Sequence, residues 1–391
     1  MEKALKRICP VCSNRKGNVL KTVRFYLPAK CTLPSEYDVV SCTECGFTYA
    51  DSSATQLDYN DYYATFNNYS EAVKTKKNYY DEISPLYKDF VEFLNGIDHI
   101  SRDSAMIDIG CGGGNLLYLL RQSGYTNISG LDPSQGSIDN LKSQGIPGYV
   151  GNIFDTTSEE LKNRFDVVIS TMVIEHIFDL NRYIDNLDSL VKDGGLIVVN
   201  CPAVETYPDH LWPFPNYFNH EHINYFSSVS ADNLFGRHGY RRVNSNTLNT
   251  VANEGILTLA YKKVSDPETK ITKDLISESV INSYLEKIKT YEEEVSNKIK
   301  SLNDSKAAIW GAGAMTMQLL AEYYELRNST EYIIDGNVLK HGETYGKIPV
   351  VDAAVLKGRP DFTIFVASVR SGKEIADSIV EKGYKNRVVI L

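Results

Sequence analysis

Three groups of residues in this chain have the types and spacing that chemistry requires. The first is Asp108–Ile109–Gly110–Cys111–Gly112–Gly113–Gly114, an acid and a glycine cluster after the apolar Met106–Ile107. Glycine permits positive φ and lets a ligand approach the backbone. The leucines that follow, Leu116, Leu117, Leu119 and Leu120, read as a helix packed on a sheet. Its first turn would point free N–H groups into the gap. A dinucleotide fingerprint needs a third glycine, and Asn115 stands there instead. A second acid, Asp132, ends the next apolar run, placed to hold ribose hydroxyls as in nucleotide folds generally.

The second group is two C-x-x-C pairs, Cys9/Cys12 and Cys42/Cys45. Two such knuckles joined by one loop suit a closed, tetrahedral zinc site with four cysteine ligands. Thiolates need a metal or positive surroundings, and Lys6, Arg7 and Lys16 are near. A thioredoxin-like redox pair is the rival, but the βαβ context is missing. Cys31 reads as a plain thiol. The third group is His220–Glu221–His222, with His176 at the end of another apolar run. The H-x-H spacing is wrong for a zincin pair. A His beside a carboxylate suits proton abstraction, because the carboxylate orients the ring and supports its charged form.

These groups need elements to hold them. Strands end at Asn115's loop and at Asp132, Tyr149–Val150 is a short strand, and Phe165–Ser170 is apolar throughout, as in a parallel sheet buried on both faces. Asp193–Gly194–Gly195 reads as a turn before a strand Leu196–Asn200. Alternating strands and helices give a doubly wound α/β sheet whose ligands lie beyond the carboxyl ends of the strands. Upstream, Tyr59, Tyr62, Tyr63, Phe66, Tyr69, Tyr79 and Tyr80 read as an aromatic helical linker or lid. Cys201–Phe226, rich in His, Pro and aromatics, reads as an insertion above the sheet. Ile271 to Leu302 forms an amphipathic connecting helix. Ala307–Met315 repeats the strand and Gly turn, followed by Asp335; Thr316 replaces the third glycine, so an NAD reading is weak.

The 391 residues call for two or three cores. A net charge of −9 argues against a nucleic-acid surface. No apolar run is long enough to span a membrane, and no secretory h-region follows Met1–Glu2–Lys3. Seven cysteines, mostly paired as C-x-x-C, suit a reducing cytoplasm. A monomer or small homo-oligomer is expected.

D-x-G-C-G-x-G resembles motif I of the class I S-adenosylmethionine (AdoMet) methyltransferases. That resemblance implies Asp108 at the amino-acid part of AdoMet, Gly110, Gly112 and Gly114 admitting it, and Asp132 on its ribose. It also implies Asn152 at the adenine amine and Ile153 on the ring. With the paired C-x-x-C, the H-E-H-x-x-Y-F-S stretch (His220 to Ser227) and the C-terminal Gly-turn domain, nearly the whole chain resembles the sugar C-methyltransferases that carry an N-terminal zinc domain. These act on nucleotide-linked ketosugars. The resemblance implies His222 as general base with Glu221 as its partner, His176 near the keto oxygen, and a linker tyrosine, taken as Tyr69. It implies structural Zn2+ on Cys9, Cys12, Cys42 and Cys45, and a C-terminal domain that helps hold the nucleotide-sugar. Asn219 departs from the family's tyrosine, and Asn253–Glu254–Gly255–Ile256 departs from its His-Gly-Gly-Ser. The expected fold is α/β: a small zinc-binding domain (1–58), the linker (59–98), a Rossmann-like methyltransferase core (99–265), a connecting helix (266–303) and a second Rossmann-like domain (304–391). O- or N-methylation of a sugar or other small metabolite is the alternative, and a zinc-bearing scaffold with a vestigial AdoMet fold is a different class.

Overall fold

The computed structural model describes residues 2–66, 85–155, 159–209, 217–251, 254–266, 270–301, 306–368 and 371–391. Tyr69, Tyr79, Tyr80, Trp212 and Phe214 lie outside them.

The chain opens with β1 (Glu2–Ala4), β2 (Lys16–Arg24), β3 (Glu36–Cys42) and β4 (Thr48–Asp51), an antiparallel meander. Both cysteine pairs sit on its tight turns. Ser13 at φ 64° donates its N–H to the Cys9 carbonyl at 2.8 Å, and Gly46 at φ 78° donates to Cys42 at 2.9 Å. A Cβ on Gly46 would lie 2.1 Å from the Asp274 carbonyl oxygen, so glycine is required there. Two helices follow, α1 (Gln56–Phe66) and α2 (Pro85–Asn95).

The core holds β5 (Met106–Ile109), α3 (Asn115–Gln122), β6 (Ile128–Asp132), α4 (Gln135–Ser143), β7 (Gly148–Val150), β8 (Phe165–Thr171), α5 (Leu180–Leu190) and β9 (Val191–Pro202). It continues with β10 (Asn224–Tyr225), α6 (Ser228–Arg237), β11 (Tyr240–Val251) and β12 (Glu254–Lys263). The sheet order is β11-β12-β9-β8-β5-β6-β7. Its five strands from β9 to β7 are parallel, and β12 runs antiparallel to both neighbours. The strand order reverses between β5 and β8, where open α/β sheets form their ligand crevice. The β11–β12 hairpin was not read in the sequence. The Gly194–Gly195 turn falls inside β9 as an irregularity in its pairing with β8.

After α7 (Ser277–Lys300) comes β13 (Ala307–Trp310), α8 (Ala314–Glu322), α9 (Tyr324–Ser329), β14 (Thr330–Ile334), β15 (Thr344–Tyr345), β16 (Ile348–Val351), β17 (Thr363–Val366), α10 (Gly372–Glu381) and β18 (Arg387–Ile390). These strands order as β15-β16-β14-β13-β17-β18, with a second reversal between β13 and β17. The connecting helix buries Ile281, Tyr284, Ile288, Val295 and Ile299 and exposes Leu275 before it. Among the described residues no helix is long and apolar enough to cross a membrane.

The three parts are not independent bodies. The N-terminal sheet takes its fifth strand, β10, from the core. Its residues Val23 and Phe25 share a buried cluster with Ile309, Met315 and Leu319 of the C-terminal part. Cys9, Val11 and Phe47 share another with Ile109, Val168 and Phe226 of the core. A boundary at residue 58 therefore separates the chain but not the packing.

Candidate active site

The loop after β5 is built as its composition dictates. Gly110, Gly112 and Gly114 take φ of 74°, 50° and 84°. The Gly110 N–H donates to the Leu131 carbonyl at 2.8 Å, docking the loop on β6. A Cβ on Gly114 would come within 2.5 Å of Leu141, whereas Gly112 faces open space. Asp132 receives the Gly112 N–H at 2.9 Å and the Ser134 N–H at 2.8 Å. Asp108 is 1% exposed, and among the described residues its Oδ1 has no hydrogen-bond partner. Burial, then the charge of Asp132, pushes the Asp108 carboxyl well above the usual range; burial likewise raises Asp132, against its two N–H bonds. Two unneutralised carboxylates beside an open backbone loop favour a cationic ligand with hydroxyls to donate.

Asn152 shapes its own turn: its side-chain oxygen accepts from the Phe154 N–H at 2.6 Å and its amide donates to Asp155 at 2.8 Å. Ile153 is 6% exposed and packs in the cluster with Ile109, Leu131 and Phe154. Sequence reasoning put it on a ligand ring; the structure gives most of its surface to the protein core.

The histidines gather at the carboxyl end of β8, the strand next to β5. Met172 follows it at φ 54°, a left-handed conformation costly for a side chain of this size. Its N–H donates to the Asn200 side chain at 3.0 Å. The chain then turns through Ile174–His176. A Cβ on Gly110 would lie 2.9 Å from Val173, so the glycine loop and the histidine loop touch. The His176 and His222 rings stand 4.8 Å apart, edge to face. His176 Nδ1 lies 3.1 Å from the Glu221 carbonyl oxygen, to which it donates, leaving Nε2 toward Glu175, 3.7 Å from Oε1. Glu175, His176 and His222 present ligand-capable atoms within 4.8 Å of one another.

The expectation that Glu221 serves His222 needs restating. The Glu221 carboxylate accepts the Tyr62 hydroxyl at 2.7 Å and lies 3.6 Å from His220 Nε2. That hydroxyl oxygen accepts from His220 Nε2–H at 2.6 Å. Burial lowers the His220 pKa. Burial raises that of Glu221, but His220, His176, the Tyr62 hydroxyl and His222 together outweigh it, so Glu221 stays ionised. Asn219 explains the turn: its side-chain oxygen accepts both the Glu221 and His222 N–H groups, each at 2.8 Å.

Tyr69 lies outside the described residues; among those described, Tyr62 hydrogen-bonds to His220 and Glu221, and the Tyr63 ring lies 6.1 Å from that of His176. Helical spacing of Tyr59, Tyr62, Tyr63 and Phe66 marked that face, but not which hydroxyl reaches the site. Gln318 of α8 donates to the Phe218 carbonyl at 2.7 Å, so the C-terminal part touches the segment leading into His220. Gly255 lies against Thr206, 2.1 Å from where a Cβ would stand, which accounts for a glycine in the departing segment.

In the N-terminal part Cys9 and Cys45 sulfurs are 3.6 Å apart and those of Cys12 and Cys42 3.4 Å. A tetrahedron with metal–sulfur bonds of about 2.3 Å has edges of about 3.8 Å. The four sulfurs therefore fit one ion with small adjustment. Contacts among the sulfurs hold Cys42 below the usual thiol range and push Cys9 and Cys45 above it, a conflict that a shared dication removes.

Residues 79–245 match the sequence model of the methyltransferase domain. Curated relatives include ubiquinone biosynthesis O-methyltransferases of Bradyrhizobium sp. (strain ORS 278) and of Methylobacterium nodulans. The first is 35% identical over 98 residues, 24% of this chain and 38% of that protein. The second is 37% identical over 97 residues, with the same two shares. The chain thus spans about two fifths of the length of these relatives. A solved structure, magnesium protoporphyrin IX methyltransferase from Synechocystis PCC 6803 with bound SAH, is 15% identical, covers 54% of this chain and 100% of that one, and has a TM-score of 0.42. The matched stretch contains the glycine loop, Asp132, His176 and His222 alike.

Proposed function

We propose that the chain is an AdoMet-dependent methyltransferase acting on a small-molecule acceptor, a nucleotide-linked keto- or deoxysugar methylated at the carbon next to its ketone. One observation carries the reading: the glycine loop with its two unneutralised acids touches the loop that brings His176 against His222. Bound AdoMet supplies an electrophilic methyl on a sulfonium. Asp108 would face the α-ammonium of its amino-acid part, Gly112 would leave room for the backbone approach, and Asp132 would accept from the ribose hydroxyls. Asn152 and Ile153 border the adenine.

His222 takes the proton from the carbon α to the ketone. The electron pair of that C–H bond becomes the enolate, whose carbon takes the methyl while the sulfur keeps the pair of the broken S–C bond. His176, with its Nδ1–H committed to the Glu221 carbonyl, stands near the keto oxygen. The ionised Glu221, tied to Tyr62 and His220, favours the protonated ring that results. Cys9, Cys12, Cys42 and Cys45 hold a structural Zn2+. The C-terminal part closes over the H-E-H segment and helps hold the nucleotide.

A second reading, methylation of a hydroxyl on a small metabolite, is favoured by the relatives' names; there His222 deprotonates an oxygen. The test is incubation with AdoMet and a panel of nucleotide-linked ketosugars and hydroxylated aromatics, with mass spectrometry and NMR of the product. A C-methyl signal supports the first reading and an O-methyl signal the second. His222→Ala should lose about 10²–10⁴-fold in turnover while AdoMet affinity survives. Calorimetry finding no AdoMet binding by the intact chain leaves the scaffold alternative. One zinc per chain by elemental analysis, lost in Cys42→Ser, is the expected result for the metal.

A further inference from the structure

Arg7 lies two residues before Cys9, and the sequence suggested it as a cation for the thiolates. Its guanidinium hydrogen bonds go elsewhere. It donates to the carbonyls of Ile223 and Ile177, each at 3.3 Å, and to that of Phe178. It stacks over the Phe178 ring at 4.5 Å and the Tyr49 ring at 5.4 Å. Among the described residues it makes no ion pair, although it is 5% exposed. Burying a guanidinium without a carboxylate is costly, so its hydrogen bonds must be well placed.

Those carbonyls belong to two loops. Ile177 directly follows His176, and Ile223 directly follows His222. The same loops are laced by Asn224, whose amide donates to Ile177 at 2.7 Å and Ile174 at 3.1 Å, and by the Ile223 N–H on Glu175 at 2.9 Å. The Ile223 carbonyl also accepts from Ala50 of β4 at 2.9 Å. Arg7 itself is fixed by the cysteine part: its N–H donates to Asp51 at 2.7 Å and its carbonyl accepts from the Tyr49 hydroxyl at 3.0 Å.

We propose that Arg7 is a positioning residue: it ties the segment entering the Cys9–Cys12 knuckle to both histidine loops and sets the approach of His176 to His222. Its guanidinium is one body bonded on both sides, so the spacing of the two loops follows the placement of Arg7, and that follows the folded knuckle. The knuckle is then part of the active site's construction rather than a remote domain. This rests on the reading of His176 and His222 as the reacting pair, but the test does not depend on it.

The experiment uses the full chain labelled in its seven histidines, with ring signals assigned by His176→Gln and His222→Gln. The wild type should show a ring-to-ring nuclear Overhauser contact between His176 and His222. Arg7→Met should lose that contact and shift both ring signals, while zinc content and AdoMet affinity by calorimetry stay within twofold. Arg7→Lys, which keeps the charge and one donor group but loses the fork, should recover part of the contact intensity. An Arg7→Met ring contact and ring shifts equal to wild type overturn the proposal. If Arg7→Met does not fold, Arg7→Lys decides: wild-type ring contacts in it overturn the proposal, and a weakened contact with intact AdoMet affinity upholds it. Failure of the wild type to bind AdoMet strikes the methyltransferase reading and leaves the ring contact to be judged by itself.

Discussion

The chain contains two glycine turns built on the same plan, and they differ in charge. In the core, Gly110 docks on Leu131; in the C-terminal part, Gly311 docks on Ile334 at 2.7 Å. Asp132 receives N–H groups from Gly112 and Ser134, and Asp335 receives them from Ala312 and Asn337, both at 2.8 Å. Then the plans part. Two residues before Gly110 stands buried Asp108; two before Gly311 stands buried Ile309. Lys340 lies 3.5 Å from Asp335 and donates to the Ala312 carbonyl at 2.6 Å, so the second turn carries its own cation. Among the described residues the two acids of the first turn have no counter-charge. The same backbone frame is thus set for a cationic ligand in one place and neutralised in the other. Fold alone does not assign a ligand to either turn; the side chains do.

Both turns hold their docking glycine tightly and leave a later one open: a Cβ on Gly110 would lie 2.9 Å from Val173, and Gly313 has nothing within 4 Å. A Cβ on Gly311, at φ 114°, would lie 2.8 Å from the Ala367 carbonyl oxygen, which is backbone and cannot move aside. Gly112 at φ 50° has nothing within 4 Å. Gly311→Ala should therefore cost about 3 kcal/mol of stability, from conformational strain plus the clash, and Gly112→Ala about 1 kcal/mol from conformation alone. Chemical denaturation of the two variants reads the difference. Equal losses would mean that the Gly311 position is as open as that of Gly112.

Binding gives the next contrast. Asp132→Ala should weaken AdoMet by about 1–3 kcal/mol, because a carboxylate acceptor for ribose hydroxyls is gone. Asp335→Ala should leave AdoMet affinity within twofold. Calorimetry on both variants decides; a loss confined to Asp335→Ala would reverse the assignment of the two turns.

Much of this frame is legible in the sequence because it is local. The acid, the glycines and the following helix lie within one strand–turn–helix unit, and each cysteine pair lies within one turn. What is not legible is set by distant packing. Tyr62 meets His220 across 158 positions, and Arg7 meets Ile223 across 216. Nothing in the H-E-H spacing shows that His220 turns inward to Tyr62 while His222 turns to His176, because Asn219 bends the chain between them. Strand β10 reads as two residues of an aromatic insertion, and only its pairing with Tyr49 and Thr48 makes it part of the cysteine sheet. Lys340 stands five residues after Asp335 in the sequence, but its neutralising role needs the folded turn.

The smallest expected effect gives the sharpest form of the comparison. Asp108 is raised above the usual carboxylate range by burial and then by Asp132, so in the ligand-free protein its charge opposes folding. A carboxyl with a raised folded pKa binds protons more tightly folded than unfolded. Its destabilising contribution is therefore full above the folded pKa and is relieved as pH falls through it, down to the ordinary unfolded value. Asp108→Asn removes the charge and keeps the shape. At neutral pH the ligand-free variant should be more stable than wild type by about 1 kcal/mol, the scale for relieving a buried unsatisfied group, and the gain should shrink as the pH is lowered. AdoMet affinity should move the other way, because the amide cannot face the cationic end of the ligand as a carboxylate does. Thermal unfolding with and without AdoMet, across pH, reads both signs at once. A variant that loses stability without ligand and keeps its affinity would show that Asp108 braces the strand rather than the ligand, and the charge difference between the two turns would then have no functional meaning.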